Sequence, residues 1–116
     1  MKLYELLADR KNEFESICNE HKVSSLYAFG YSTRDDFNED LSDIDLLIAI
    51  DTSDPLEKGE YLLQIWDRLE HFFQRKVDLL TYTSIRNPVL KKNIDSSKIL
   101  IYSWKKQKVC VYVLNN

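Results

Sequence analysis

The chain has 116 residues, of which 44% are hydrophobic and 30% charged, as is typical of a globular protein with a single core. Its formal net charge of −3 argues against the broad basic surface that nucleic-acid binding requires. No apolar run reaches the roughly 18 residues of a membrane span, and the charged start differs from a signal peptide, so we expect one cytoplasmic domain over residues 1–116 without membrane contact.

The first segment, from Lys2 to Glu20, has the periodicity of one amphipathic helix. His21 ends it, and we interpret this histidine as a solvated residue that interacts with the helix dipole rather than as an acid–base group or a ligand. Cys18 and Cys110 lack the spacing of a metal site. The pattern favours two buried, reduced thiols over a disulfide between them.

An apolar strand begins at Leu26 and stops at Gly30, one of only two glycines in the chain. Glycine allows a ligand to approach the main chain closely, which makes this turn a candidate binding element. The neighbouring residues that could hold a phosphate are Ser25, Ser32, Thr33 and Arg34. The polar segment 33–41 then predicts an adaptable loop, and for Arg34 a surface salt bridge is the alternative to a phosphate contact.

Two acids, Asp43 and Asp45, directly precede the apolar run 46–50. In a strand, residues two apart share a face, so their carboxylates would lie side by side and repel each other unless a cation sits between them. Mg²⁺ is commonly held by one or two carboxylates together with substrate phosphates. The alternative is a capping or turn pair, but the run that follows is strand-like, and a capping role does not explain an acid between apolar neighbours.

A helix is predicted from about Leu56 to Phe73, after helix-start chemistry at Ser53, Asp54 and Pro55. Its apolar stripe predicts a buried face, and a strand–helix–strand order fits a crossover unit. Stacking of a base on Trp66 is the less favoured interpretation of that stripe.

A third acid, Asp78, lies in a short alternating strand that follows this helix. If that strand pairs with the strand of Asp45, the three carboxylates form one cluster. Three acids around one or two Mg²⁺ ions are the arrangement of metal-assisted phosphoryl and nucleotidyl transfer.

The remaining chain predicts a short helix over 83–94, with a proline near its first turn, and a strand over 98–102. The apolar tail 104–116 is β-prone and would be an exposed edge if uncovered. It could add a strand, pair with a second copy of the chain, or pair with a partner protein.

The Gly30 turn, the run Ser42-Asp43-Ile44-Asp45-Leu46-Leu47-Ile48 and the later Val77-Asp78-Leu79 together resemble the minimal nucleotidyltransferase family of the polymerase-β-like superfamily. The resemblance covers about residues 26–102. It implies an α/β (α+β) domain with a mixed sheet flanked by helices. It also implies that Asp43 and Asp45 are Mg²⁺ ligands. Asp78 is then the third catalytic carboxylate, which either binds a second metal ion or takes the proton of the acceptor.

The resemblance also implies a nucleotide-binding set, consisting of Gly30, Tyr31, Ser32, Arg34 and Ser42. One position departs from the family: Tyr31 stands where the family has a phosphate-contacting serine, and Ser32 is one place late. A tyrosine hydroxyl lies far out on a rigid ring and cannot replace a short serine beside the backbone. Either a changed turn brings Ser32 into that role, or nucleotide binding is weakened.

Members of this family move a nucleoside monophosphate from a nucleoside triphosphate to an acceptor, and many small bacterial ones are antitoxins paired with a HEPN-domain toxin. We therefore expect a Mg²⁺-dependent enzyme that uses ATP and modifies a hydroxyl of such a partner, with a small molecule such as an aminoglycoside as the less favoured acceptor. The alternative is a catalytically weak or inactive module that neutralises its partner by contact, and Tyr31 is its best support.

Overall fold

The structure, a computed structural model, describes residues 3–30 and 43–104 and the backbone of residues 108–109. The positions Tyr31, Ser32, Arg34 and Ser42 of the predicted nucleotide site lie outside these residues. The described elements are α1 (Leu3–Asp9), α2 (Lys11–Glu20), β1 (Val23–Phe29), β2 (Ile44–Ile50), α3 (Pro55–Phe73), β3 (Val77–Thr81), a 3₁₀ turn (Tyr82–Ser84), α4 (Pro88–Ser97), β4 (Ile99–Ser103) and β5 (Lys108–Val109).

The strands form one mixed sheet in the order β3-β2-β1-β4-β5. β2 and β3 are parallel and are connected by α3, whereas β1 is antiparallel to both β2 and β4. This architecture confirms the predicted mixed sheet flanked by helices. The short strand β5 pairs with β4, so this part of the C-terminal tail adds a strand to the sheet.

Apolar side chains cover both faces of the sheet. The larger cluster packs α1, α2 and α3 against residues such as Leu26, Leu46 and Leu79. The smaller cluster lies on the other face, and its buried members are Phe29, Leu47, Ile85 and Ile94. Since alternate residues of a strand point to opposite faces, Asp45 lies on the face of Leu47 and of the smaller cluster.

The helix α3 begins and ends as the sequence predicts. The Asp54 side chain accepts a hydrogen bond from the Leu56 amide at 3.0 Å, and Pro55 is the first helical residue. At the other end Gln74 adopts the left-handed conformation with φ of 56° and stops the helix. The chain is thereby returned to the start of β3, next to the start of β2.

The prediction of one helix over residues 2–20 is wrong, because the chain breaks at Arg10 between α1 and α2. Arg10 has φ of −119° and ψ of 39°, outside the helical range. Its guanidinium donates a hydrogen bond to the Phe72 carbonyl at 2.9 Å and lies 4.3 Å from the centre of the Phe72 ring. This contact with the end of α3 is a tertiary feature that periodicity does not reveal.

His21 is buried, which corrects the interpretation of a solvated histidine. Its Nδ1 is 2.6 Å from the Ile17 carbonyl, so the imidazole caps the end of α2 from inside the protein. Cys18 is a buried free thiol, as predicted, and burial raises the pKa of that thiol. Cys110, the second thiol of that prediction, lies outside the described residues. Within the described residues, no helix has the length and apolar character needed to span a bilayer.

The predicted helix over residues 83–94 instead begins at Pro88, after the 3₁₀ turn. The Asn87 side chain accepts hydrogen bonds from the Val89 and Leu90 amides at 2.9 and 3.3 Å, which fixes the true start. The proline does stand in the first turn, as the sequence indicates.

Candidate active site

Two of the predicted acids are direct neighbours across the parallel pair of strands. Asp45 of β2 is in register with Asp78 of β3. Adjacent strands are about 4.8 Å apart and paired residues point to the same face, so the two carboxyl groups project side by side. Asp43 precedes Asp45 by two positions and extends the same row. The structure thus brings all three acids to one end of the sheet.

Gly30 closes this end of the sheet on the side of β1. Phe29 is in register with Asp45, and the chain turns at Gly30 with φ of +62°, a conformation that favours glycine. A Cβ atom at position 30 would lie 2.9 Å from Oδ2 of Asp45. The glycine therefore permits both the turn and the close approach of the carboxylate to the main chain.

The three acids differ in their exposure to solvent. Asp43 and Asp78 are exposed, whereas Asp45 is partly buried. Burial, followed by the negative charges of Asp78 and Asp43, raises the pKa of Asp45 to about 6. Ionisation of Asp45 therefore costs more free energy than ionisation of an ordinary carboxyl group, and a cation close to it would lower that cost.

The chemistry of these side chains fits Mg²⁺, which prefers oxygen ligands. In residues 3–30 and 43–104, no three acidic, histidine or cysteine side chains are gathered closely enough to hold a metal ion by themselves. A Mg²⁺ ion that acts on phosphates needs fewer protein ligands, because one or two carboxylates and the phosphates share its coordination. Asp43 and Asp45 would hold the ion together with the phosphates of the nucleotide.

The helix α3 fixes the start of β3 and hence the position of Asp78. The indole Nε1 of Trp66 donates a hydrogen bond to the Val77 carbonyl at 2.7 Å, and the Val77 amide donates to Glu70 Oε2 at 3.0 Å. Both main-chain groups of the residue before Asp78 are therefore satisfied by side chains of α3. Because β3 is an edge strand, the same contacts block strand addition at this point.

One sequence interpretation changes once the geometry is known. Ser25 is five residues from Gly30 along an extended strand, or roughly 16 Å, so it is too far away to assist at the glycine turn. Lys76, which the sequence analysis did not single out, directly precedes β3, and the Ile44 amide donates to its carbonyl at 3.0 Å.

Comparison with known proteins identifies the family of this chain. The family model described as polymerase beta, nucleotidyltransferase matches residues 12–107. A relative in Methanocaldococcus jannaschii, named as a candidate protein adenylyltransferase, is 36% identical over 83 residues, which cover 72% of this chain and 81% of that protein.

Solved structures show the same fold. A candidate minimal nucleotidyltransferase superposes with a TM-score of 0.65 at 27% identity, covering 85% of this chain and 95% of that chain. A toxin–antitoxin structure with AMP-PNP has a TM-score of 0.55 at 21% identity, with coverage of 83% and 76%. The present chain belongs to the polymerase β nucleotidyltransferase family.

Proposed function

We propose that this protein is a Mg²⁺-dependent adenylyltransferase that moves AMP from ATP to a hydroxyl group of a partner protein, and that the partner is a HEPN-domain toxin. The observation that carries the proposal is the register of Asp45 with Asp78 beside the Gly30 turn. A relative named for protein adenylylation and a similarly folded toxin–antitoxin with AMP-PNP support the choice of nucleotide and acceptor.

The three acids and the glycine of the candidate site each have a role in this proposal. Asp43 and Asp45 hold Mg²⁺, which when bound offsets charge on the triphosphate and on the departing pyrophosphate. Gly30 lets the main chain approach the phosphates. Asp78, exposed on the edge strand, faces the side from which an acceptor can enter. The sequence adds Ser32, Arg34 and Ser42 as further phosphate contacts, with Tyr31 at the position of the family serine.

The transfer is a substitution at the α-phosphorus of ATP. The acceptor oxygen forms a bond to this phosphorus, and the bond from the phosphorus to the oxygen that bridges to the β-phosphate breaks. Pyrophosphate leaves with that bridging oxygen, and the acceptor proton passes to the Asp78 carboxylate. In-line geometry requires the acceptor to approach from the side opposite the pyrophosphate. In this fold we assign that side to β3.

Label transfer tests the proposal. The purified protein is incubated with α-³²P-labelled ATP, Mg²⁺ and the protein encoded beside it, and labelled protein is measured after electrophoresis. We expect transfer that Asp45→Ala abolishes. Asp9→Ala, which changes an exposed acid at the end of α1, is the matched control and should retain full transfer. Transfer by the Asp45 variant at the wild-type rate would disprove the proposal.

The second candidate is a module that neutralises its partner by contact alone. The observation that favours it is Tyr31 at the position of the family serine. It predicts inhibition of the partner without labelling, and it predicts that Tyr31→Ser increases labelling. If the wild-type protein labels its partner and Tyr31→Ser leaves the rate unchanged, this second candidate is excluded.

A further inference from the structure

Lys98 directly precedes β4, at the same end of the sheet as the candidate active site. In the antiparallel pair of β1 and β4, Ala28 is in register with Ile99. The next pair outward is therefore Phe29 with Lys98, and Phe29 is itself in register with Asp45. Lys98 thus stands in the same row as Asp45 and two strands away from it, or about 10 Å between the two Cα atoms.

The Lys98 side chain lies on the same face of the sheet as the acids. Its Nζ atom is 4.7 Å from the centre of the Tyr27 ring. Tyr27 precedes Phe29 by two positions and packs against the smaller apolar cluster of Phe29 and Leu47, which lies on the face of Asp45. The ammonium group and the carboxylate therefore share one face, with the end of β1 between them.

Three contacts orient the ammonium group. Its Nζ donates a hydrogen bond to Oδ1 of Asp95 at 3.0 Å, and it lies 4.7 Å and 5.9 Å from the ring centres of Tyr27 and Tyr82. The rings attract the charge with their faces, and Asp95 is its one hydrogen-bond acceptor within residues 3–30 and 43–104. Because an ammonium group has three donors, Lys98 can bind a further anion.

The ion pair with Asp95 does not prevent this. The two side chains are 26% and 40% exposed, and ion pairs in contact with water contribute little to stability. A phosphate oxygen is a strong acceptor for an ammonium group, so it can bind beside Asp95 or replace it. Lys98 is thus held on the face of the site but is available to a ligand.

The direction of the transfer places the pyrophosphate on the side of Lys98. In-line substitution puts the departing pyrophosphate opposite the acceptor, and we assign the acceptor to the side of β3. In the sheet order, the direction away from β3 leads from the acids of β2 across Gly30, at the end of β1, to Lys98 at the start of β4. A triphosphate held at the acids and at the glycine turn therefore extends toward Lys98.

The end of α4 makes a cation necessary at this position. The helix ends at Ser97, and its last carbonyl groups carry partial negative charge that would repel a phosphate. Lys98 follows directly and supplies the opposite charge. Its flexible four-carbon stem lets the ammonium group move from the Tyr27 ring toward the row of acids.

We propose that Lys98 binds the terminal phosphates of the nucleoside triphosphate and that it makes the site prefer a triphosphate to a monophosphate. The inference rests on the proposed function, since it names a contact for the pyrophosphate part of the same substrate. During transfer the same contact stabilises the charge that develops on the leaving pyrophosphate.

Nucleotide binding without an acceptor tests this inference. ATP and AMP are titrated separately into the protein with Mg²⁺, and Kd is measured by calorimetry. Lys98→Gln should weaken ATP binding about tenfold, the effect of losing a charge-assisted hydrogen bond, and should change AMP binding by less than about twofold. Lys98→Arg keeps the charge and should bind ATP within about threefold of wild type. An unchanged Kd for ATP in Lys98→Gln, or an equal loss for both nucleotides, would overturn the inference.

Asp95→Asn separates the phosphate contact from a structural role. Both Asp95→Asn and Lys98→Gln remove the ion pair, but only Asp95→Asn leaves the cation in place. We expect Asp95→Asn to bind ATP as tightly as wild type or up to about threefold tighter, because an acid that competes with the phosphate is gone. An equal loss of ATP affinity in the two variants would show that Lys98 acts only through the ion pair and would contradict the inference.

Lys92→Gln is the matched control for charge. It makes the same substitution at an exposed lysine of α4 and should keep the Kd for ATP within about twofold of wild type. A loss equal to that of Lys98→Gln would show an effect of net charge alone and refute the assignment to Lys98.

The outcomes separate this inference from the proposed function. Binding needs no turnover, so an ATP affinity that depends on Lys98 supports the phosphate contact even if no label reaches a partner. Conversely, labelling that Asp45→Ala abolishes, together with a wild-type Kd for ATP in Lys98→Gln, supports the proposed function and refutes the contact. A wild-type protein that does not bind ATP would overturn both.

Discussion

Gly30 and Asp45 form a single structural unit, because a methyl group on Gly30 would lie 2.9 Å from the Oδ2 atom of Asp45. The glycine ends β1 in the left-handed conformation, and the acid stands in register with the residue just before that turn. The turn and the carboxylate therefore constrain each other, and a change at one is expected to displace the other.

Gly30→Ala should lower both stability and transfer. The left-handed conformation costs an alanine about 1 to 2 kcal/mol, and the new methyl pushes the Asp45 carboxylate from its position. We expect the free energy of unfolding, measured by urea denaturation, to fall by about 1 to 2 kcal/mol. We also expect a fall in label transfer of about 100-fold, the cost of misplacing a catalytic group by roughly 1 Å.

Gly59→Ala is the matched control for this change. Gly59 is within α3, and nothing lies within 4 Å of an added Cβ atom there. Alanine favours the helix, so the variant should gain up to about 1 kcal/mol and keep its transfer rate. Equal effects of Gly30→Ala and Gly59→Ala would show that the Gly30 turn and the Asp45 carboxylate do not constrain each other.

Asp45→Asn should stabilise the protein at neutral pH in the absence of metal. The pKa of Asp45 is raised from 3.8 to about 6, so between these values the folded state binds more protons than the unfolded state. Stability therefore falls as the pH rises through this interval. The cost is fully present above pH 6 and absent below the unfolded pKa.

We expect the asparagine variant to exceed wild type by about 1 to 2 kcal/mol at pH 7.5, with allowance for solvent screening at a partly exposed group. The gap should close below about pH 4. Urea denaturation in EDTA from about pH 4 to pH 7.5 measures the difference in the free energy of unfolding between the two proteins. Asp9→Asn, the control, should follow the wild-type profile. A variant that is less stable than wild type at pH 7.5 would contradict the electrostatic account.

Magnesium should reverse part of this cost. A cation bound at Asp43 and Asp45 favours the ionised form, so wild type should gain about 1 kcal/mol when Mg²⁺ exceeds its Kd several-fold. In a domain of this size that gain raises the melting temperature by about 4 °C or more. Asp45→Asn should show a smaller rise. An identical rise in the melting temperature of wild type and of Asp45→Asn would show that Mg²⁺ binds away from Asp45.

Trp66→Phe should weaken the anchor of β3. The substitution keeps an aromatic ring but removes the 2.7 Å hydrogen bond to the Val77 carbonyl, next to Asp78. We expect a loss of about 1 to 2 kcal/mol in stability and a fall in transfer that is larger than any change in ATP affinity. Tyr61→Phe on the same helix keeps the ring packed against the core and should change stability by less than about 0.5 kcal/mol.

Local rules account for much of what could be read from the sequence. The caps at Asp54 and Pro55, the apolar stripe of α3 and the strand that stops at Gly30 depend on neighbours within a few residues, and the structure has each of them. The two acids of the Ser42–Ile48 run also needed only strand alternation to be placed on one face.

Other features depend on contacts between distant segments, which periodicity does not encode. Arg10 breaks the first helix because its guanidinium reaches Phe72, and His21 is buried because α2 packs its end into the protein. The rise in the pKa of Asp45 comes mainly from the burial of that carboxyl group, which depends on the packing around β2.

The sequence by itself determined the family, the strand faces and the identity of the acids, because these follow from residue type and short-range spacing. Only the tertiary structure decided that Asp45 and Asp78 share a register and that Asp45 is partly buried. The register of two parallel strands joined by a 19-residue helix is set by how that helix packs, through Trp66 and Glu70, and no local pattern specifies that packing.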